Sequence, residues 1–239
     1  MLFRRRLRPA RVREGALRRR TGYCGVAYHM SKGPGLALLC LVLVGGTASC
    51  AGALDCRVVD AGFWFEPVTY QAARLGGAVT PEEMATIMGV AHSELTDAFG
   101  GLSIRFSNRR DAKYRVRVVQ QLRDMRVRWE VQVPAESRSV AGFGGQGAVN
   151  FFWMANAAVS YAPDAADRPS IIHAIGRGIG RAAAHEFAHL LLPRASVDDA
   201  ADVNSYEYQS AARREQYFGE LRWGRVRPLL QERIPPCAE

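Results

Sequence analysis

The run IIHAIGRGIGRAAAHEFAHLLL, residues 171–192, decides how this chain folds and where its chemistry can sit. Its apolar residues recur at helical spacing, and Pro193 stops the pattern. A long helix is therefore expected over 171–192. Gly176, Gly178 and Gly180 are poor helix formers, so either a neighbouring backbone approaches closely there or the helix starts later than residue 171. Near its end, His185 and His189 are four residues apart, on one face and about one turn apart, where both imidazoles can share a metal ion. Glu186 stands next to them, placed to take a proton from water.

Working outward, Thr80-Pro81-Glu82-Glu83 is a helix start, with Thr as N-cap, Pro at the first helical position and Glu83 closing a capping box. The helix it opens carries Met84, Ile87, Met88, Ala91, Leu95 and Phe99 at helical spacing and ends at Gly100-Gly101. Alternation predicts strands over 102–106, 114–120 and 127–133, each with a wet face. Two further strands are expected over 148–155 and 157–161, and a final amphipathic helix over about 211–233. Strands grouped between helices argue an α+β fold with a mixed or antiparallel sheet. Gly142 to Gly147 fits G-x-G-x-x-G, but a polar segment precedes it and a strand-like run follows, so it reads as a turn between strands rather than a nucleotide site.

The chain of 239 residues has a formal charge of +9, and all of the excess lies in residues 1–53; residues 54–239 carry 22 basic and 22 acidic residues. A neutral body removes the case for nucleic-acid binding. Residues 36–44 form an apolar run too short for a membrane span, followed by small residues ending Ala51-Gly52-Ala53. That is the layout of a signal peptide over 30–53, with the mature domain over 54–239 and a secreted or periplasmic destination. The alternative is a lipoprotein anchored through Cys50. Residues 1–29 are an Arg-rich preface, read as a start-site artefact with translation beginning at Met30. Cys56 and Cys237, at opposite ends of the mature chain, are expected to form a disulfide bond in an oxidising compartment. The mature chain, without a transmembrane helix, is expected to be a monomer.

The segment Ala182 to Leu191 resembles the active-site helix of the zincin metallopeptidases: a His-Glu-x-x-His core flanked by uncharged residues, with Ala182 where the family prefers Val or Thr. The resemblance implies a zinc ion held by His185 and His189, hydrolysis of a peptide or protein substrate, and Glu186 as the general base. The metzincin pattern is excluded, because Leu192 and Ala195 stand where it needs Gly and His or Asp. The gluzincin pattern implies Glu207 as third metal ligand, with Asp198, Asp199 and Asp202 as rivals. Tyr206, Tyr208 and Tyr217 are candidate donors to a developing oxyanion, and residues 148–152 a candidate sheet edge for an extended peptide. His173 and His92 are not expected to be ligands. The alternative reading is a non-catalytic envelope binding protein with a zincin-like fold.

Overall fold

Thr80 opens the first long helix as its sequence demands. Its hydroxyl accepts from the Glu83 amide at 3.3 Å while the Glu83 carboxylate accepts from the Thr80 amide at 2.9 Å. The computed structural model describes residues 57–124, 131–140 and 144–236. The expected signal peptide, Arg-rich preface, Cys50 anchor and Cys56–Cys237 disulfide all fall outside the described residues.

In chain order the strands are β1 (Val59–Phe65), β2 (Gln71–Ala72), β3 (Gly77–Ala78), β4 (Ile104–Ser107), β5 (Tyr114–Val119), β6 (Arg123–Asp124), β7 (Val131–Gln132), β8 (Ala135–Val140) and β9 (Gly144–Asn150). The helices are α1 (Pro81–Ala98), α2 (Phe151–Tyr161), α3 (Arg168–Leu191), α4 (Glu215–Phe218) and α5 (Val226–Arg233). The main sheet runs β4-β1-β5-β9-β8. Its first four strands are parallel, and β8 pairs antiparallel with β9 at the edge. This is an α+β fold with a mixed sheet, as the grouping of elements implies. No helix among the described residues is long and apolar enough to cross a membrane.

One face of the sheet is apolar. Ala61, Phe63, Val116, Val118 and Val149 are buried there in one core with Ile87, Leu95, Ile175, Ile179 and Phe187 of α1 and α3. The glycines of α3 explain the layer's thickness. A methyl group at Gly176 would stand 2.8 Å from the carbonyl oxygen of Ile87, one at Gly180 would collide with the Ala91 carbonyl, and one at Gly178 with the ring of Tyr217. Gly176 and Gly180, one turn apart, thus let α1 lie almost backbone to backbone against α3. The crossing is pinned by Glu94 of α1, whose two oxygens accept from Arg177 Nε and Arg181 Nε, each at 2.9 Å.

Three expectations need correction. Residues 151–161 are a helix, not strands. The Asn150 side chain caps it, accepting from the Trp153 amide at 3.0 Å, and Phe151, Met154, Ala155 and Ala158 are buried at helical spacing. Residues 148–152 are not a sheet edge, because β9 lies between β5 and β8; the edge is β8, a polar strand. The final helix is two helices, α4 and α5, separated by a stretch from Gly219 to Arg225 that is held by bonds from outside it. Of the strand expected over 127–133, β7 is the part within the described residues. Of the glycine-rich run expected as a turn, Gly144 to Gly147 belong to strand β9, with Val140 of β8 opposite Gly144, and residues 142–143 lie outside the described residues.

Gly180→Ala should lower stability by about 1–3 kcal/mol in chemical denaturation, because the new methyl meets backbone. Gly89→Ala, on the exposed side of α1 with open space around it, should raise stability by about 0.4–1 kcal/mol. The hydrogen bonds from Arg168, then the Thr80 amide, hold the Glu83 carboxyl down from 4.5 to about 2. Its contribution is therefore whole above pH 4.5 and is lost as pH falls through about 2. The gap in thermal midpoint between the protein and Glu83→Gln should be constant above that window and close across it; a gap unchanged down to pH 2 would contradict the assignment.

Candidate metal centre

Helix α3 starts where Asp167 accepts from the Ser170 amide at 2.9 Å, with Pro169 in its first turn, and it runs unbroken to Leu191. The α1 crossing fixes its rotation about its axis. His185 and His189 then face the loop that follows the helix, and Glu186, about 100° round, faces the sheet.

The loop returns at once. Leu192 donates to the Ala188 carbonyl, Ala195 donates to Leu192, and Val197 is buried, which sets Asp198 against the two imidazoles. The Asp198 Oδ1 atom lies 3.2 Å from His185 Nε2 and 3.4 Å from His189 Nε2, and the two Nε2 atoms are 3.1 Å apart. His185, His189 and Asp198 form the one group among the described residues whose donor atoms could hold a metal ion. A second bond orients the ring: His185 Nδ1 donates to the Tyr206 carbonyl at 2.7 Å, which directs Nε2 at Asp198 and His189.

The other carboxylates are occupied. Asp199 Oδ1 accepts from the Ala201 amide at 2.8 Å, and Asp202 Oδ1 from Asn204 at 2.9 Å, both local turn bonds. Glu207 is 1% exposed, and its Oε1 accepts from the amides of Gly224 at 2.7 Å and Val226 at 2.9 Å. The structure does not bring Glu207 to the imidazole pair. The gluzincin spacing pointed to a carboxylate that closes the start of α5 instead, and the loop rival Asp198 stands where Glu207 was expected. Sequence spacing could not separate Asp198 from Asp199, since only the backbone path of the loop decides which of two adjacent side chains faces the helix.

Glu186 is buried, and burial raises its carboxyl above the ordinary range, opposed by the charge of His185 and a hydrogen bond from the Ser137 hydroxyl of β8. Burial lowers His189. On His185, burial is outweighed by the bond to Asp198, the Glu186 charge and the Tyr206 carbonyl, so its pKa rises; the His185 bond lowers Asp198. A cavity of about 70 Å³ adjoins His185 and Glu186 and is also lined by Arg181, Tyr206 and Tyr208. Tyr217 is elsewhere, fully buried, with its hydroxyl donating to Met154 Sδ at 3.5 Å. His173 and His92 are exposed and away from the group. Serine 137 and the Tyr206 carbonyl carried no sequence signal, because each acts through a contact between distant segments.

No family model and no curated protein sequence matches the chain.

Zinc held by this group, measured as metal per chain after dialysis, should be lost in Asp198→Asn and kept in Glu207→Gln. Glu207→Gln should instead destabilise the fold by about 1–3 kcal/mol, because buried amides lose a charged acceptor.

Proposed function

We propose that the chain is a zinc-dependent peptidase, with His185, His189 and Asp198 as the metal ligands and Glu186 as general base. One observation carries the reading. The donor separations of 3.1, 3.2 and 3.4 Å match the edge of a tetrahedron, about 3.3 Å for metal–ligand bonds of 2.0–2.1 Å. Two neutral imidazoles and one carboxylate, leaving a fourth position open, are also the donor set of catalytic rather than structural zinc.

Zinc, when bound, supplies Lewis acidity to a water and to a substrate carbonyl. The rest is done by the chain. Glu186 accepts a proton from the attacking water and passes it to the departing amine nitrogen; burial raises its pKa towards the range that proton transfer at neutral pH requires. Ser137 holds that carboxylate in one orientation, and the Tyr206 carbonyl holds the His185 ring in the ligating orientation. Strand β8, carrying Ser137, is the sheet edge nearest Glu186, which favours a substrate bound as an added extended strand. The amino-terminal signal pattern extends the proposal to an exported protein, with the Cys50 lipid as its alternative.

The small cavity beside Glu186 favours a second reading, an envelope binding protein that retains the site without turnover. The two are separated by Glu186→Gln. It should keep one zinc per chain and lose casein cleavage by about 100-fold or more. A zinc-loaded native protein with no cleavage above this variant would leave the binding reading, and a native protein that takes up no zinc would sink the peptidase and leave the binding reading in front.

A further inference from the structure

The face of the main sheet turned away from the helices carries a second cavity, a groove of about 530 Å³ remote from the metal ligands. Its floor is set by the register. One row across the strands reads Trp64, Arg117, Ala148, Glu136, and the next reads Gly62, Arg115, Gln146, Arg138. The floor is low at Ala148 and Gly147, and the long side chains of Arg115, Arg117, Gln146 and Arg138 stand around it. Arg110 joins from the loop after β4, its guanidinium 6.0 Å from the centre of the Trp64 ring.

Four arginines and one glutamate, Glu136, line this groove. Arg117 is paired with Glu66 at 2.8 Å. Arg115 reaches only neutral oxygens, Gln146 Oε1 at 3.2 Å and the Ala112 carbonyl at 3.4 Å. Among the described residues, Arg110, Arg115 and Arg138 have no ion pair with a carboxylate. Elsewhere on this face and its rim the arginines are matched, Arg105 with Asp60 and Arg109 with Asp111. Like charges gathered in a trough with low-dielectric walls repel one another and focus a positive potential into it. The neutrality of residues 54–239 as a whole conceals this local excess.

We propose that the groove is a binding site for a small polyanion bearing at least two phosphate or carboxylate groups. Strand geometry sets the spacing: Arg115 and Arg117 are about 7 Å apart along β5, and Arg115 and Arg138 about 9.5 Å apart across two strand intervals. Planar guanidinium groups bind either anion in bidentate fashion, and Trp64 offers a flat apolar surface for the ligand's body. The groove includes none of His185, Glu186, His189 and Asp198, and its wall meets that group only through Ser137, so loss of anion binding at Arg115 or Arg138 is distinguishable from loss of zinc.

The test is calorimetric titration of the purified chain with tripolyphosphate and, separately, citrate, at constant ionic strength, with sodium chloride as blank. Saturable binding of either is expected, and the stronger of the two identifies the anion class. Arg115→Gln and Arg138→Gln should each weaken that binding about tenfold. Arg105→Gln, an ion-paired arginine outside the groove, should leave it unchanged, and thermal unfolding of each variant shows that it is folded. No saturable binding of either anion overturns the proposal. So does equal weakening by Arg105→Gln, which would reduce the effect to general surface charge.

Discussion

Helix α3 lies against α1 almost without intervening side chains, through Gly176 and Gly180, and the position of every group at the candidate metal centre depends on that crossing. A helix buried along most of its length has little freedom to slide, but it can still turn about its axis. Here Arg177 and Arg181 prevent turning, because both reach Glu94 on the neighbouring helix. Once the rotation is set, the four-residue spacing of His185 and His189 presents both to the following loop, and Glu186 is delivered to β8. The same constraint acts at the sheet, where Gly145 admits the Leu190 side chain and draws the end of α3 down onto the strands.

Two buried charges, Arg181 and Glu207, are placed with partners. Arg181 is 3% exposed, yet it meets Glu94 and the carbonyls of Glu215 and Gln216. Glu207 is equally enclosed and has two amides. Removing one partner of such a set costs more than the set contributes, because an unpaired charge is left in a poor solvent. These groups therefore specify geometry more than they add stability. They tie α4 to α3 and the loop of Asp198 to the start of α5, so the site is braced from outside its donor atoms.

Much of this was legible in the sequence where the signal is local. The capping box at Thr80, the helix through His189, the strand at Tyr114 and the two-histidine face each follow from residues within a turn or two of one another. The α2 helix was misread because residues 148–161 are apolar on nearly every side, so neither period stands out, and the single polar cap, Asn150, decides the matter. Strand β8 was invisible for the opposite reason: Glu136, Ser137 and Arg138 look like a loop, and only pairing with β9 makes them a strand. The third member of the metal group escaped on similar grounds. Family spacing favoured Glu207, but the amides at Gly224 and Val226 lie far along the chain and claim that carboxylate in three dimensions.

Tyr206 and Glu207 bear on how this chain can vary. The Tyr206 carbonyl holds His185 and its amide donates to the Arg222 carbonyl; the Glu207 carbonyl holds the Asp199 amide while its carboxylate holds Gly224 and Val226. Two consecutive residues thus measure off three lengths of chain at once: helix to loop, loop to itself, and loop to the C-terminal helix. Side chains between residues 192 and 226 that take no part in these bonds can be exchanged without disturbing those lengths. Inserting or deleting a residue there cannot, since any change of count moves at least one partner out of reach. Variation in this region should therefore be confined to substitution, while changes in length are absorbed by loops elsewhere in the fold.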